Sequence, residues 1–147
     1  MKCSRNFGAV AQVRGDARNP LLRGTVRFLP HRDGVLVVAQ ISGLPETQAG
    51  FFGFHIHEGE DCGGAEFADT KGHYNPQHRE HPMHAGDLPP LMRTSDGKAF
   101  LSVVTDRFDT DEILGRTVVI HGHPDDFTSQ PAGNSGMKIA CGRIGRM

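Results

Sequence analysis

Six of the chain's nine histidines fall between Phe54 and Asp87, set among Gly, Pro and acidic residues. They read Phe54-His55-Ile56-His57-Glu58, then Gly72-His73-Tyr74-Asn75-Pro76, then His78-Arg79-Glu80-His81-Pro82-Met83-His84-Ala85-Gly86-Asp87. Imidazole is the commonest protein ligand for zinc and copper. A strand and a turning loop can converge these groups on one point, so metal binding is the chemistry this run suggests first.

Residues two apart on a strand face the same side. His55 and His57 therefore present two imidazoles from one rigid element. His121 ends another apolar run, Thr117-Val118-Val119-Ile120, and could supply a third. His121-Gly122-His123 repeats the spacing, so spacing alone does not choose between His121 and His123. One such pair alone is commonly no more than two polar groups on an edge strand. Two pairs beside a His-rich loop argue for a site. The second constellation is His81, His84 and Asp87, preceded by His73. Pro82, Gly86 and Pro89-Pro90 exclude a helix there, so a loop must gather these groups. Two or three imidazoles with one carboxylate suit tetrahedral zinc, and spacing leaves His78 as an alternative ligand.

The elements that must carry these groups are strands. Gly8 to Val13, Leu22 to Leu29, Val35 to Ile41, Phe51 to His57, Leu91 to Thr94, Lys98 to Asp106, Arg116 to His121 and Lys138 to Ile144 carry the strand signals. Pro30 should end the second of these. Asp33-Gly34 supplies a hairpin signal, and Ser95-Asp96-Gly97 a second turn. About eight strands separated by long irregular stretches predict an all-β, Greek-key barrel or sandwich. The loops over 58–90 and 122–137 have the length of functional loops. No internal repeat or boundary divides residues 1–147, which predicts a single domain.

The length of 147 residues suits one domain with a real core. A formal charge of -1 gives no nucleic-acid footprint and no polybasic membrane patch, and no apolar run approaches a membrane span. The expectation is no nucleic-acid and no membrane partner. Met1 to Asn6 lacks the apolar core of a signal peptide, so the expected location is inside the cell, or outside the cytoplasm with a signal removed.

Taken together, the chain resembles the copper/zinc superoxide dismutases. The motifs are Gly53-Phe54-His55-Ile56-His57-Glu58, Gly72-His73-Tyr74-Asn75-Pro76, His84-Ala85-Gly86-Asp87-Leu88, Gly115 to His121, Asp125-Asp126, and Gly133-Asn134-Ser135-Gly136 leading into Ala140-Cys141-Gly142. They occur in the family's order and span the chain from about Gly8 to Gly145. The resemblance implies copper on His55, His57, His73 and His121. It implies zinc on His73, His81, His84 and Asp87, with His73 bridging the two metals. Asp125 matches the carboxylate that orients ligand histidines on both sides, and Cys62 and Cys141 match the family's disulfide. Cys3 has no counterpart. Superoxide is the implied substrate, converted to oxygen and hydrogen peroxide.

The chain departs from the family pattern in four places. His81 and His84 are only three apart, a shortened zinc segment. The loop after His121 is short and lacks the usual charged cluster. Met137-Lys138 stands where the family has an arginine before Ala-Cys-Gly; lysine keeps the charge and loses the planar fork, so Lys138 is expected to attract the anion with weaker orientation. Arg143 and Arg146 occupy positions that are apolar in the eukaryotic-type dimer, which predicts a monomer or a different assembly. The competing function is a silent copper-binding homologue that stores or delivers metal. The complete histidine set and Lys138 favour the enzyme. A zinc-only structural domain would leave His55, His57 and His121 unexplained.

Overall fold

The computed structural model describes residues 7–147, so Cys3 lies outside the described residues. Seven strands form one curled antiparallel sheet: β1 (Ala9–Gly15), β2 (Arg23–His31), β3 (Gly34–Ser42), β5 (Phe54–His57), β7 (Ala99–Thr105), β8 (Thr117–His121) and β9 (Lys138–Arg146). Their order is β5-β8-β9-β1-β2-β3-β7, and a two-stranded pair joins β4 (Phe51–Phe52) to β6 (Leu91–Met92). Since β4 runs into β5 and β6 packs on β7, this pair links the two free edges. The β3–β7 and β5–β8 neighbours mark Greek-key connections. The all-β class expected from the strand pattern is what the chain adopts.

Alternation explains most of the sheet. In β3, Val35, Val37, Ala39 and Ile41 are buried while Leu36, Val38 and Gln40 face outward. β5 and β8 differ, being buried on both faces. Phe54, Ile56, Val118 and Ile120 fill the interior, and the side chains pointing the other way lie beneath long loops. His55 and His57 are therefore on the outer face of the sheet and yet are 0% and 2% exposed.

Local departures from the expected elements have physical causes. The Phe51–His57 run divides at Gly53, whose N–H donates to His123 O and whose carbonyl accepts from His121 N–H. A Cβ at Gly53 would meet Ser135 Oγ at 2.7 Å. The β2–β3 hairpin turns on Arg32 and Asp33, because His31 pairs with Gly34. Gly34 serves close packing instead, since a Cβ there would lie 2.6 Å from Thr105 O. Pro30 sits inside β2, paired with Val35, but beyond the end of β1, so no ladder bond to β1 is lost.

The loop over 58–90 is anchored rather than free. A 3-10 segment (Ala65–Thr70) lies within it, and the disulfide Cys62–Cys141, with an S–S distance of 2.01 Å, ties it to β9. A short helix α1 (Thr110–Ile113) also forms. A capping box starts it, with Glu112 Oε1 accepting from Asp109 N–H at 2.6 Å. No helix among the described residues is long and apolar enough to cross a membrane.

Candidate metal centre

Two ligand-like clusters share one histidine. His55 and His57 come from β5 and His121 from the end of β8, while His73 forms a bridge pair with His57. One potential ligand atom from each of these four lies within 4.8 Å of the others. His73, His81, His84 and Asp87 form a second such group. His55 and His73 are the closest rings, with centroids 4.0 Å apart.

His121 reaches the centre through an irregularity. The β8–β9 register shifts between Ile120 and His121, so that Ile120 pairs with Ala140 but His121 pairs with Lys138. Ile139 is the extra residue of a bulge, a device that re-aims side chains at a strand end. Spacing left His121 and His123 equivalent; His121 is 3% exposed within the cluster and His123 is exposed outside it. His31 and His78 are exposed and belong to neither group.

Hydrogen bonds fix the imidazole tautomers. His57 Nδ1–H donates to Lys71 O at 2.8 Å, and His121 Nδ1–H donates to Gly136 O at 3.3 Å. A carbonyl can only accept, so each ring is left with a lone pair on Nε2. Those two Nε2 atoms face each other 3.1 Å apart. Two lone pairs at that distance repel unless a positive charge lies between them. His55 Nδ1, His73 Nε2 and His81 Nδ1 are buried without a hydrogen-bond partner. His81 Nδ1 lies 3.1 Å from Asp87 Oδ2 without hydrogen-bond alignment, as two donors to one cation would. Buried polar atoms are ordinarily satisfied. This donor set, with imidazoles on one side and imidazoles plus a carboxylate on the other, fits copper and zinc respectively.

Asp125 ties the two groups together. Its Oδ2 is 2.8 Å from His55 Nε2 and its Oδ1 is 2.7 Å from His81 Nε2. These are the ring nitrogens away from the ligand-like atoms, so a carboxylate accepting both N–H groups orients one ring in each half. Gly133 leaves the room: with φ of +71°, a Cβ there would meet Asp125 Oδ1 at 2.0 Å. Burial pushes the Asp125 carboxyl up, but the hydrogen bonds from His55, His81 and Phe127 N–H outweigh it and hold the group below its usual range. Asp87 is likewise held low: burial opposes ionisation, and the His73 hydrogen bond with the neighbouring imidazoles overcomes it.

Four of the imidazoles, those of His55, His57, His84 and His121, are shifted toward the neutral form that can ligate. Burial lowers His55 to about 4, partly opposed by its bond to Asp125, and lowers His121 to about 3. Burial also takes His57 well below the ordinary value and lowers His84. A tight turn closes the compressed zinc segment, with Met83 N–H donating to Glu80 O at 2.7 Å, and this brings the His81 and His84 rings to 5.4 Å. Gln130 clamps the same segment from the far loop: its Oε1 accepts from His81 N–H at 2.9 Å and its Nε2 donates to His81 O at 2.7 Å.

Lys138 lies beside the first group. Its Nζ donates to Thr70 Oγ1 at 2.7 Å and to Lys71 O at 3.0 Å, and burial lowers its pKa. The Lys71 carbonyl thus accepts from both Lys138 and His57. Thr70, Lys71, Gly136 and Gln130 were not identifiable from the sequence. Three of these contacts use backbone carbonyls, or a side chain on a backbone group, and such roles leave no residue-type signal.

Known proteins are similar to this chain in sequence. A sequence profile described as copper/zinc superoxide dismutase (SODC) matches residues 22–144. Cu-Zn superoxide dismutase 1 of Aquifex aeolicus is 36% identical over 135 residues, covering 82% of this chain and 79% of that protein. The Cu-Zn superoxide dismutase of Legionella pneumophila is 36% identical over 132 residues, covering 85% and 79%. Cu-Zn superoxide dismutase 3 of Arabidopsis thaliana is 36% identical over 157 residues, covering 95% and 91%.

Proposed function

The chain belongs to the copper/zinc superoxide dismutase family of oxidoreductases, and on that premise we propose that it disproportionates superoxide at a copper beside a zinc. His55, His57, His73 and His121 would hold copper; His73, His81, His84 and Asp87 would hold zinc. Copper supplies one-electron oxidation and reduction, which turn two superoxide anions and two protons into oxygen and hydrogen peroxide, while zinc has no redox chemistry.

The observation that carries this reading is the pair of lone pairs on His57 and His121, 3.1 Å apart, beside partnerless His55 Nδ1 and His73 Nε2. His73 is the shared residue. Its Nδ1 lies 2.9 Å from Asp87 Oδ1 and its buried Nε2 has no hydrogen-bond partner, so the ring would offer one nitrogen to each group and, when Nε2 is not a ligand, could hold a proton there. Lys138 draws the anion by charge. Two of its three protons are taken by Thr70 and Lys71, which leaves one for the anion. The His57–Lys71–Lys138 arrangement fixes the amine relative to the copper-side ring. Asp125 keeps His55 and His81 in the ligating tautomer.

Arg143 and Arg146 place charge where the eukaryotic-type dimer is apolar, and burying unpaired charge is costly, so the reading is a monomer or an assembly through another face; a tight dimer through this surface in sedimentation would overturn that. The experiment for the activity is metal analysis together with superoxide turnover on copper- and zinc-reconstituted protein. Full occupancy with turnover is the expected result. Full copper occupancy without turnover would overturn it in favour of a silent copper-binding homologue.

A further inference from the structure

The net charge of -1 conceals a segregation. No strand of the described residues contains Asp or Glu, so the acidic residues lie in the connections. The β9-β1-β2-β3-β7 wall, by contrast, carries arginines on its outer face. Register places them together: Arg14 pairs with Arg23 directly across β1 and β2, and also with Cys141 on β9, two residues from Arg143. Arg27 shares this face, four residues along β2 from Arg23.

Like charges directly opposite one another destabilise a sheet. Neither guanidinium of the Arg14–Arg23 pair has a hydrogen-bond or ion-pair partner among the described residues, and both side chains are exposed. The same face exposes apolar groups. Phe100, opposite Gln40 on β7, is 67% exposed, and Val104, opposite Leu36, is 52% exposed. Arg27 Nη1 donates to Gln40 Oε1 at 3.2 Å, so the basic and apolar parts of the wall adjoin.

We propose that this wall docks on an anionic lipid surface, with Arg14, Arg23 and Arg27 on headgroups and Phe100 and Val104 at the acyl boundary. Charge complementarity argues for an anionic partner, and it relieves the repulsion that the Arg14–Arg23 pair otherwise imposes. The apolar side chains select lipid over nucleic acid: a sheet face is broad and Phe100 and Val104 stand clear of it, whereas single-stranded nucleic acid is bound on several stacking aromatics in a groove. Interfacial binding combines apolar burial with attraction of basic residues to anionic headgroups. The docking residues Arg14, Arg23, Arg27, Phe100 and Val104 stand on β1, β2 and β7, whereas the histidines come from β5, β8 and the loops, so docking uses none of the metal-site side chains.

The test is co-sedimentation of the metal-loaded protein with vesicles of mixed phosphatidylglycerol and phosphatidylcholine, against vesicles of phosphatidylcholine alone. Binding to the mixed vesicles only, weakened by salt, is the expected result. Arg14→Gln and Arg23→Gln should each lower the partition about fivefold without lowering the melting temperature or metal content. Phe100→Ser should remove the binding that persists in salt. If a glutamine variant melts early, Arg14→Lys and Arg23→Lys, which keep the charge, must bind as the parent does. Equal binding to both vesicle types, anionic binding retained by the Arg14→Gln/Arg23→Gln protein, or tighter binding to a single-stranded oligonucleotide than to the mixed vesicles would each overturn the proposal.

Discussion

The two halves of the histidine cluster are held by different kinds of structure. On the copper side, His55, His57 and His121 stand on β5 and β8, where ladder pairing from Phe54–Ile120 to His57–Thr117 fixes the backbone. On the zinc side, His81, His84 and Asp87 lie on a connection without strand pairing of its own beyond one isolated bridge, His55 to Asp87. Its shape depends on a few isolated backbone bonds, such as Met83 N–H to Glu80 O, and on side chains: Gln130 on both backbone groups of His81, and Arg107 Nη1 on the carbonyls of Pro82 at 2.8 Å and His84 at 3.2 Å. Each such bond contributes only about 0.5–1.5 kcal/mol net. The strand half thus takes its geometry from the fold, while the loop half is assembled from small increments that metal binding must complete.

Acid probes the strand half most strongly. Burial holds His55 at about 4 and His121 at about 3, against 6.5 for a free imidazole. The unfolded chain binds protons at these sites that the folded, metal-free protein refuses. Stability present above the unfolded value is therefore lost as pH falls from about 6.5 towards the folded values, by on the order of several kcal/mol. The urea midpoint of metal-free protein should fall steeply across this window; a flat profile would break the picture of a preformed neutral cluster.

Removing the disulfide comes next. Cys62 and Cys141 close a loop of sequence separation 79, so Cys62→Ser with Cys141→Ser should cost roughly 4 to 5 kcal/mol in thermal or urea unfolding. Because this bridge anchors the loop that supplies the Lys71 carbonyl and His73, it is also the point where the copper half borrows from a loop. If unfolding is unaffected, that loop is held by something else.

Asp125 serves both halves equally. Asp125→Ala should weaken each metal by about 10–100-fold, measured by competition with a chelator. A loss confined to one metal would show that the carboxylate orients only one ring. Gln130→Ala separates the halves: zinc affinity should fall about tenfold through loss of the His81 clamp, at about 1.4 kcal/mol, with copper affinity unchanged. Equal losses would erase the contrast between strand and loop. The smallest effect is expected at the anion's approach. Lys138→Arg should raise kcat/KM by a few-fold at low salt, where steering counts most, and an unchanged or lower value would count against that role for Lys138.

The strand half was legible because its signals are local. Phe54-His55-Ile56-His57 alternates inward and outward in the sequence as it does in the sheet, whereas Val35 to Ile41 reads as a nearly unbroken apolar run whose alternation is visible only in its burial. The Asp33-Gly34 signal also fell at the β2–β3 turn, but the close approach of Thr105 from another strand to Gly34 is a contact that the local sequence does not encode. The choice between His121 and His123 depended on the β8–β9 bulge. Gln130 as a clamp and Thr70 as a partner of Lys138 both arise between residues tens of positions apart, so residue type and spacing carry no trace of them. The charge of the barrel wall was hidden for a related reason: a sum over the chain cannot show which face the arginines share.

Asp125 has one further consequence. With one oxygen on a ring of each half, it would link the two metal-binding equilibria under the proposed ligand assignment. Any shift of the carboxylate that one ion causes would be felt by the ring of the other half. Reciprocity then demands that copper raise the affinity for zinc by the same factor as zinc raises that for copper. Under the proposed assignment, a single carboxylate would thereby make the loading of two adjacent sites cooperative.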